Sequence, residues 1–383
     1  MTIDNLHTVA VIGAGDMGHG IAQLALMSGY DVILGDVYEE AVKKGVSRIE
    51  SSLEKLIAKG RCSQKILDDA RNGRLIWKTE IAKAVCNADF VIEAVPENIK
   101  IKKSVLEAVG DAAPRGSIIA SNTSTMSISM LSEFVPGSER VIGTHYFNPA
   151  VLMKLVEVVR GKYTSDETVQ FALDYVAKIG KTSVYAAKDT PGFLANRINI
   201  PSVLFHGYCM DRLGISAEDI DASLMQIGFK MGPMELLDYT GLDIMRDCMA
   251  YYHDNLSPDY ELSSAIQSLI SQEKYGKKTG EGFYLWTDGK RPNIHADAIS
   301  GRYDPELFFM VEANEACKLV EDGVCSLKDC DLAMELGYNT PGPLRYISKY
   351  DPAEIAKRLN HLAEDSGKEV FRPCKLMLEG KYR

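Results

Sequence analysis

The chain has 383 residues, of which 46% are hydrophobic and 25% are charged. These fractions are typical of a folded globular protein, and the length favours two or three domains at roughly 100–200 residues each. Lys and Arg total 43 against 53 for Asp and Glu, which gives a net charge of −10. That balance argues against nucleic acid or an anionic membrane surface as the main partner.

Targeting, metal and disulfide signals are weak in this sequence. No apolar run approaches the roughly 20 residues that span a bilayer, and residues 1–4 do not have the shape of a signal peptide. The eight cysteines form no CxxC pair, and the seven histidines show no HxxxH or HExxH spacing. We therefore expect a soluble, cytoplasmic protein with reduced thiols, no metal site, no membrane segment and no nucleic-acid partner.

Short apolar runs alternate with amphipathic stretches over the first half of the chain. The predicted strands are Val9–Ile12, Val32–Leu34, Phe90–Val95, Ile118–Ala120, Val141–Gly143 and Leu155–Val159. The predicted helices between them are Met17–Ser28, Glu39–Lys59, Ile101–Ala112 and Thr168–Ile179. Strands separated by helices indicate βαβ units, so we expect an α/β, Rossmann-like domain with a mainly parallel sheet. After the turn at 189–192 the periodicity is helical, which predicts an all-α C-terminal region.

The helical region contains a repeated pattern. A D-x-D triplet at 219–221 is followed by Gly-Pro at 232–233, and a second triplet at 329–331 is followed at the same spacing by Gly-Pro at 342–343. Such self-similarity predicts a duplicated helical domain, although chance recurrence of these short motifs is the alternative. The polar stretch 287–301 is predicted to link the two copies.

A G-x-G-x-x-G motif occupies residues 13–18, directly after an apolar strand and at the start of a helix. Gly13 permits the tight turn, Gly15 lets a pyrophosphate approach the backbone, and Gly18 lets helix and strand pack closely. The next strand ends at Asp36, where a carboxylate accepts hydrogen bonds from an adenosine ribose and repels a 2′-phosphate. The motif therefore predicts an NAD site in preference to NADP, the alternative being a purely structural glycine turn.

Three polar residues lie in or directly after strands of the same predicted sheet. Ser124 belongs to a polar cluster after one strand, and His145 stands at the end of the next. Glu157 lies inside the apolar strand Leu155–Val159, where a carboxylate needs a partner. A His145–Glu157 pair would fix the imidazole tautomer and stabilise the protonated ring, as the general base for an alcohol proton requires. The alternatives are a turn or helix cap at Ser124, a structural histidine, and a glutamate that faces solvent.

These motifs resemble the L-3-hydroxyacyl-CoA dehydrogenases, including the short-chain 3-hydroxybutyryl-CoA type. The matching segments occur in the family's order between residues 7 and 286, at 13–18, 121–124, 145–149, 153–158, 189–197, 231–238 and 276–284. The resemblance implies NAD-dependent oxidation of an (S)-3-hydroxyacyl-CoA to the 3-ketoacyl-CoA, or its reverse, within fatty acid β-oxidation. A dehydrogenase of a free 3-hydroxy acid, such as a sugar acid or carnitine, and a nucleotide-binding protein without activity are the alternatives.

The resemblance also implies roles for individual residues. His145 would be the general base and Glu157 its charge partner, and Ser124 and Asn196 would hydrogen-bond the substrate oxygen. The residues expected at NAD are Gly13, Gly15, Asp16, Met17, Gly18, Asp36, Glu97, Lys102 and Asn122. The residues expected at the acyl-CoA are Ser52, Lys59, Ser124, Asn148 and Asn196. Glu97 and Lys102 also fit an exposed, charged helix start, and Lys59 fits a solvated helix face that carries cations for the CoA phosphates.

The predicted domains are an NAD-binding domain at 1–188, a helical dehydrogenase C-terminal domain at 189–290, and a divergent second copy of it at 303–383. In the family that the chain resembles, single-copy members dimerise through the helical domain. We therefore expect the second copy to pack on the first as an internal pseudo-dimer, in a chain that is a monomer or a homodimer.

Overall fold

The computed structural model describes residues 2–383, which divide into two compact units, 2–193 and 194–383. The first unit is an α/β domain and the second is helical, as predicted. No helix among the described residues is long and apolar enough to cross a membrane. Within the same residues, no group of three or more His, Cys, Asp or Glu side chains could hold a metal ion.

The first unit is built on one eight-stranded sheet. Its strands are β1 (Thr8–Ile12), β2 (Asp31–Gly35), β3 (Leu75–Lys78), β4 (Phe90–Glu93), β5 (Ile118–Ser121), β6 (Val141–Tyr146), β7 (Leu155–Val159) and β8 (Thr182–Ala186). Their order across the sheet is β3-β2-β1-β4-β5-β6-β7-β8, and only the β6–β7 pair is antiparallel. The prediction of a mainly parallel sheet is confirmed, and it missed only the two edge strands, β3 and β8.

Helices connect these strands. They are α1 (Gly18–Met27), α2 (Glu39–Ala58), α3 (Gln64–Asp69), α4 (Ile81–Val85), α5 (Ile99–Ala112), α6 (Ile128–Ser132) and α7 (Asp166–Lys178). In α2 the buried residues Val42, Gly45, Ile49 and Leu53 recur every three or four positions and form one apolar stripe. The remaining surface of α2 is therefore left for polar and cationic side chains.

The second unit consists of ten α-helices and irregular segments. The helices are α8 (Ala195–Asp211), α9 (Ala217–Gln226), α10 (Pro233–Thr240), α11 (Leu242–Asn255), α12 (Ser264–Ser271), α13 (Pro305–Glu321), α14 (Leu327–Gly337), α15 (Pro343–Ile347), α16 (Pro352–Ser366) and α17 (Lys375–Leu378). The helix α13 is buried on all sides from Phe308 to Cys317, as expected of a central helix. It packs against α8, α15, α16 and α17.

The repeated D-x-D and Gly-Pro motifs have the same structure in both places. The carboxylate of Asp221 accepts the backbone N–H groups of Met234 (2.8 Å) and Glu235 (2.8 Å) at the start of α10. Asp331 accepts those of Leu344 (2.9 Å) and Arg345 (3.1 Å) at the start of α15 in the same way.

Glycine precedes the proline in both repeats because the carboxylate occupies the space of a side chain. A Cβ at Gly232 would collide with Asp221, and one at Gly342 would collide with Asp331. This shared capping favours duplication over chance recurrence.

The predicted linker at 287–301 contains two short 3₁₀ turns, Thr287–Gly289 and Ala296–Ala298, and no α-helix or strand. The two predicted helical copies, 189–290 and 303–383, are called the first and the second repeat below. The linker is tied to the first repeat: Arg291 forms an ion pair with Glu235, and the Ser300 hydroxyl donates to Asp219. The segment is thus irregular but anchored.

One buried histidine of the second unit is held neutral. The side chain of His206, on α8, is 1% exposed, lies 3.0 Å through Nε2 from the Tyr303 hydroxyl, and stacks on Phe308. Burial lowers the pKa of His206 to about 3 because the charged ring would lose its hydration.

Candidate active site

The centre of the candidate site is the pair of His145 and Glu157. They are direct register partners in the antiparallel β6–β7 pair, so their side chains leave the same face of the sheet side by side. His145 Nδ1 lies 2.6 Å from Glu157 Oε2, and the two residues are 6% and 0% exposed. The interpretation of Glu157 as a solvent-facing strand residue is therefore wrong.

The other imidazole nitrogen of His145 is left for a ligand. Its Nε2 has no hydrogen-bond partner among residues 2–383, while the ring packs against Phe147 (4.7 Å between centroids) and Phe193 (5.9 Å). A carboxylate on Nδ1 favours the tautomer with its proton there, which leaves Nε2 with a lone pair. This is the arrangement of a general base.

Ser124 lies on the turn after β5, the strand next to β6. Its backbone N–H donates to Glu97 Oε1 (3.1 Å), and its hydroxyl has no partner among the described residues. Parallel neighbours β5 and β6 end at the same edge of the sheet, so Ser124 and His145 are delivered to one side. Ser124 does not cap a helix, since Ser127 caps α6.

Glu97 holds this turn in place. Besides the Ser124 amide, Glu97 Oε1 accepts the hydroxyls of Thr123 (2.5 Å) and Thr125 (2.8 Å). Burial opposes ionisation of Glu97, but the charge of Lys102 and the hydroxyl donors keep its pKa below the usual value. Glu97 is therefore an ionised anchor for the Ser124 turn.

Lys102 is buried, so its interpretation as part of an exposed, charged helix start is wrong. The side chain is 1% exposed and its ammonium contacts Glu93 (2.8 Å), Glu97 (3.2 Å) and the Val95 carbonyl oxygen (3.3 Å). These three acceptors satisfy the three ammonium protons. The contact of Lys102 with NAD remains a prediction from the resemblance.

The glycine turn fits a dinucleotide. Gly13 has φ +104°, and a Cβ at Gly18 would collide with the Gly13 carbonyl, whereas a Cβ at Gly15 would point into open space. The N–H groups of Gly15, Asp16 and Met17 have no partner within residues 2–383. Free amides at a helix start attract a pyrophosphate, and the open side of Gly15 gives it room.

Asp36 stands at the end of β2 beside this turn. Its carboxylate oxygens accept the N–H groups of Ala14 (2.9 Å) and Tyr38 (3.1 Å). Each oxygen keeps a second lone pair for a ribose hydroxyl. Asn122, at the end of β5, uses its Oδ1 to accept the Tyr146 N–H (2.9 Å) and so ties β5 to β6.

A groove of about 580 Å³ lies between α2 and the loop after β6. Its lining residues are Asp16, His19, Gly20, Lys44, Ser47, Arg48, Ser51, Ser52, Lys55, Asn148, Pro149, Ala150 and Val151. Ser52 and Asn148 both line this groove, and their contact with the substrate stays a prediction. Lys59 ends α2 one turn beyond Lys55 on the same face and does not line the groove.

Asn196 belongs to the second unit, where it is the second residue of α8. Its Oδ1 accepts the hydroxyl of Tyr338, at 2.8 Å. The neighbouring Arg197 forms a buried ion pair with Glu315 of α13, at 2.5 Å. The structure thus places Asn196 against the second repeat, and its role toward the substrate stays a prediction.

Comparison with known proteins decides the family. The model for the 3-hydroxyacyl-CoA dehydrogenase NAD binding domain matches residues 8–190, and that for the 3-hydroxyacyl-CoA dehydrogenase C-terminal domain matches residues 192–286. The chain belongs to the 3-hydroxyacyl-CoA dehydrogenase family. Its cofactor is NAD.

Three similar proteins place this dehydrogenase more closely. The mitochondrial hydroxyacyl-coenzyme A dehydrogenase of Sus scrofa is 38% identical over 73% of this chain and 90% of its own length. The fatty acid oxidation complex subunit alpha of Pseudomonas syringae pv. syringae is 34% identical over 93% of this chain, which spans 52% of that longer relative. The crystal structure of 3-hydroxybutyryl-CoA dehydrogenase from Escherichia coli K12 superposes with a TM-score of 0.87 at 28% identity, covering 99% of this chain and all of the other. The last two matches extend over the second repeat.

Sequence reasoning missed two side chains that hold the candidate site in the first unit and one that contacts Asn196 in the second. Glu93 ends β4, is fully buried and accepts the Ser121 hydroxyl at 2.6 Å as well as Lys102. Lys181 donates to three carbonyl oxygens of the loop after Asn148, between residues 150 and 153. The signal for Glu93 was available, since it is an acid in an apolar strand, as Glu157 is. Tyr338 had no signal, because only the folded chain brings it to Asn196.

Proposed function

We propose that this protein catalyses NAD-dependent oxidation of (S)-3-hydroxyacyl-CoA to 3-ketoacyl-CoA, and the reverse reaction. The observation that carries the proposal is the buried His145–Glu157 pair, with Nε2 open, at the sheet edge that also presents Ser124. Membership of the dehydrogenase family supports it. A role in fatty acid β-oxidation follows from the same relationship, since one relative is named as a subunit of a fatty acid oxidation complex.

His145 is the proposed general base. In the oxidation direction Nε2 accepts the proton of the 3-hydroxyl group as the C3–O bond becomes a carbonyl. Glu157, 2.6 Å from Nδ1, stabilises the imidazolium that results and keeps the ring oriented. In the reduction direction the same nitrogen returns the proton to the oxygen at C3.

Ser124 and Asn196 are the proposed donors to the substrate oxygen. The Ser124 hydroxyl is unengaged, and its turn is fixed by Glu97, so the donor is oriented before the substrate binds. Donors already in place cost little reorganisation as negative charge develops on the oxygen. Lys102 and Glu93 are proposed to act on this turn through Glu97.

The residues proposed to hold NAD are the glycine turn at 13–18, Asp36, Glu97, Lys102 and Asn122. When bound, NAD supplies the hydride acceptor. The amides of the turn would hold its pyrophosphate, and Asp36 would accept hydrogen bonds from the adenosine ribose.

The groove along α2 supports a CoA ester over a free 3-hydroxy acid. Lys44, Arg48 and Lys55 line it in a protein whose net charge is −10, and Ser52 and Asn148 stand among them. Cations in a groove of this size suit the phosphates of coenzyme A. A small free acid has no phosphates to bind these cations. Lys59 is proposed to extend the cationic stripe past the end of the groove.

The substrate class can be tested by a panel of acceptors. Consumption of NADH should be followed with acetoacetyl-CoA, longer 3-ketoacyl-CoAs and free acetoacetate. We expect turnover of CoA esters and little turnover of the free acid. Preference for the free acid would favour the alternative function, and absence of turnover with every CoA ester would refute the proposal.

Residues 303–383 are proposed to be a second copy of the helical domain that replaces a partner subunit. The packing of α13 on α8 and the shared capping by Asp221 and Asp331 support this. Sedimentation should then show a monomer, and a tight dimer lost on deletion of 303–383 would contradict it. We also propose a cytoplasmic location, supported by eight cysteines that all remain thiols.

A further inference from the structure

A tyrosine of the second helical repeat touches the asparagine to which the proposed function assigns a substrate contact. The Tyr338 hydroxyl donates to Asn196 Oδ1 at 2.8 Å, and both side chains are partly buried. Asn196 Nδ2 donates to no residue in the described part of the chain. The amide is therefore held by its oxygen, and its N–H groups are left for another acceptor.

The residue after Asn196 on α8, Arg197, forms an ion pair with the second repeat. Arg197 pairs with Glu315 at 2.5 Å, and Lys318 also contacts Glu315, at 3.1 Å. Burial opposes ionisation of Glu315, but the charges of Lys318 and Arg197 hold its pKa below the usual value. A paired, buried charge of this kind fixes the position of the first turn of α8.

Tyr338 is placed by the end of α14. Its N–H donates to the Met334 carbonyl oxygen at 3.0 Å, and the next residue, Asn339, has φ +56°, which ends the helix. The left-handed residue after α9 is Gly228 (φ +113°), which corresponds to Asn339, so the C-cap residue Tyr338 corresponds to Ile227 in the first repeat. Ile227 carries no hydroxyl, and the hydrogen-bonding group is therefore a contribution of the second repeat.

We propose that Tyr338 is a positioning residue for the reaction, which orients the Asn196 amide so that Nδ2 faces the substrate oxygen. This inference rests on the proposed dehydrogenase function. Asn196 Nδ2 would then stabilise the oxygen most strongly when it carries the developing charge of the transition state. The second repeat would thereby act on the reaction as well as on packing.

The test compares two tyrosines that join the repeats. Tyr338→Phe removes the hydroxyl and keeps the ring, so the variant should fold. Tyr208→Phe is the matched control, because the Tyr208 hydroxyl on α8 donates to Asp365 on α16 at 2.6 Å, away from Asn196. Both variants are also combined with Asn196→Ala, and NADH consumption with acetoacetyl-CoA and the thermal midpoint are measured for every chain.

We expect Tyr338→Phe to lower kcat about 10-fold, the effect of one hydrogen bond, with both KM values within about 2-fold of wild type. Tyr208→Phe should retain kcat, and the thermal midpoints of the two variants should agree. In the Asn196→Ala background Tyr338→Phe should cause no further loss.

Three results would overturn the inference: unchanged kcat in Tyr338→Phe, an equal loss in Tyr208→Phe, or the same loss with and without Asn196. Absence of turnover by the wild-type chain would instead refute the proposed function itself.

Discussion

Replacing Glu157 by glutamine isolates the charge of the carboxylate from its shape. Glu157 is fully buried and lies 2.6 Å from His145 Nδ1, so the pair is shielded from water and salt. Glutamine retains the length of the side chain and an oxygen that can accept the Nδ1 proton. What it loses is the negative charge that stabilises the imidazolium formed when His145 accepts a proton.

The expected loss in kcat follows from the charge of Glu157 in this hydrogen bond. A hydrogen bond to a charged partner contributes about 1.5–3 kcal/mol. Because each 1.36 kcal/mol changes a rate tenfold, kcat should fall roughly 10- to 150-fold. The KM for NAD should change little, since Glu157 is remote in sequence and in the sheet from the glycine turn on β1.

Steady-state oxidation of (S)-3-hydroxybutyryl-CoA, measured by NADH absorbance, gives both parameters. Substrate deuterated at C3 should show a larger isotope effect in Glu157→Gln than in wild type, if the variant slows the chemical step. Glu133→Gln, at an exposed carboxylate after α6, is the control and should behave as wild type. A Glu157→Gln enzyme with kcat within about 2-fold of wild type would refute the assignment of Glu157 as the partner of the base.

Two further predictions concern stability and substrate affinity. The neutral, buried His206 has a pKa of about 3 in the folded chain and about 6.5 in the unfolded chain, so only the unfolded state gains a proton between these values. The contribution of His206 to the free energy of unfolding in urea should therefore fall by about 2 kcal/mol between pH 7 and pH 5. His206→Gln should be less sensitive to pH than wild type by that amount, and the exposed-site variant His361→Gln should match wild type; an unchanged pH dependence in His206→Gln would contradict it. In the groove, Lys55→Ala should raise the KM for acetoacetyl-CoA about 3-fold at low salt with kcat unchanged. The control Lys65→Ala, outside the groove, should leave this KM unchanged. Equal effects of the two substitutions would exclude a role of the groove in binding the CoA arm.

Much of the α/β unit could be predicted because its central strands are buried on both faces. The strand Leu155–Val159 was predicted with its observed bounds, and the other central strands differ by one to three residues at an end. The edge strands β3 and β8 were missed because they carry mixed or solvent-exposed residues: three of the four residues of β3 are exposed. A short strand of this kind has no continuous apolar run to reveal it.

Some features of the candidate site could likewise be predicted from the sequence, and others are visible only in the folded chain. The apolar strand around Glu157 predicts that its carboxylate needs a partner, and His145 could be proposed as that partner. The antiparallel register that brings the two side chains together is visible only in the folded sheet. Lys102 was ambiguous because a charged helix start is usually solvated, and only the structure shows Glu93 beneath it. The Tyr338–Asn196 contact joins residues 142 positions apart, for which sequence periodicity carries no information.

The central claim is that His145 acts as the general base of a 3-hydroxyacyl-CoA dehydrogenase. The most direct test measures NADH consumption with acetoacetyl-CoA by the wild-type chain and by His145→Ala under identical conditions. We expect turnover by the wild type and a loss of roughly 100- to 10,000-fold in kcat for the variant, with NADH binding retained. Normal turnover by His145→Ala would contradict this claim.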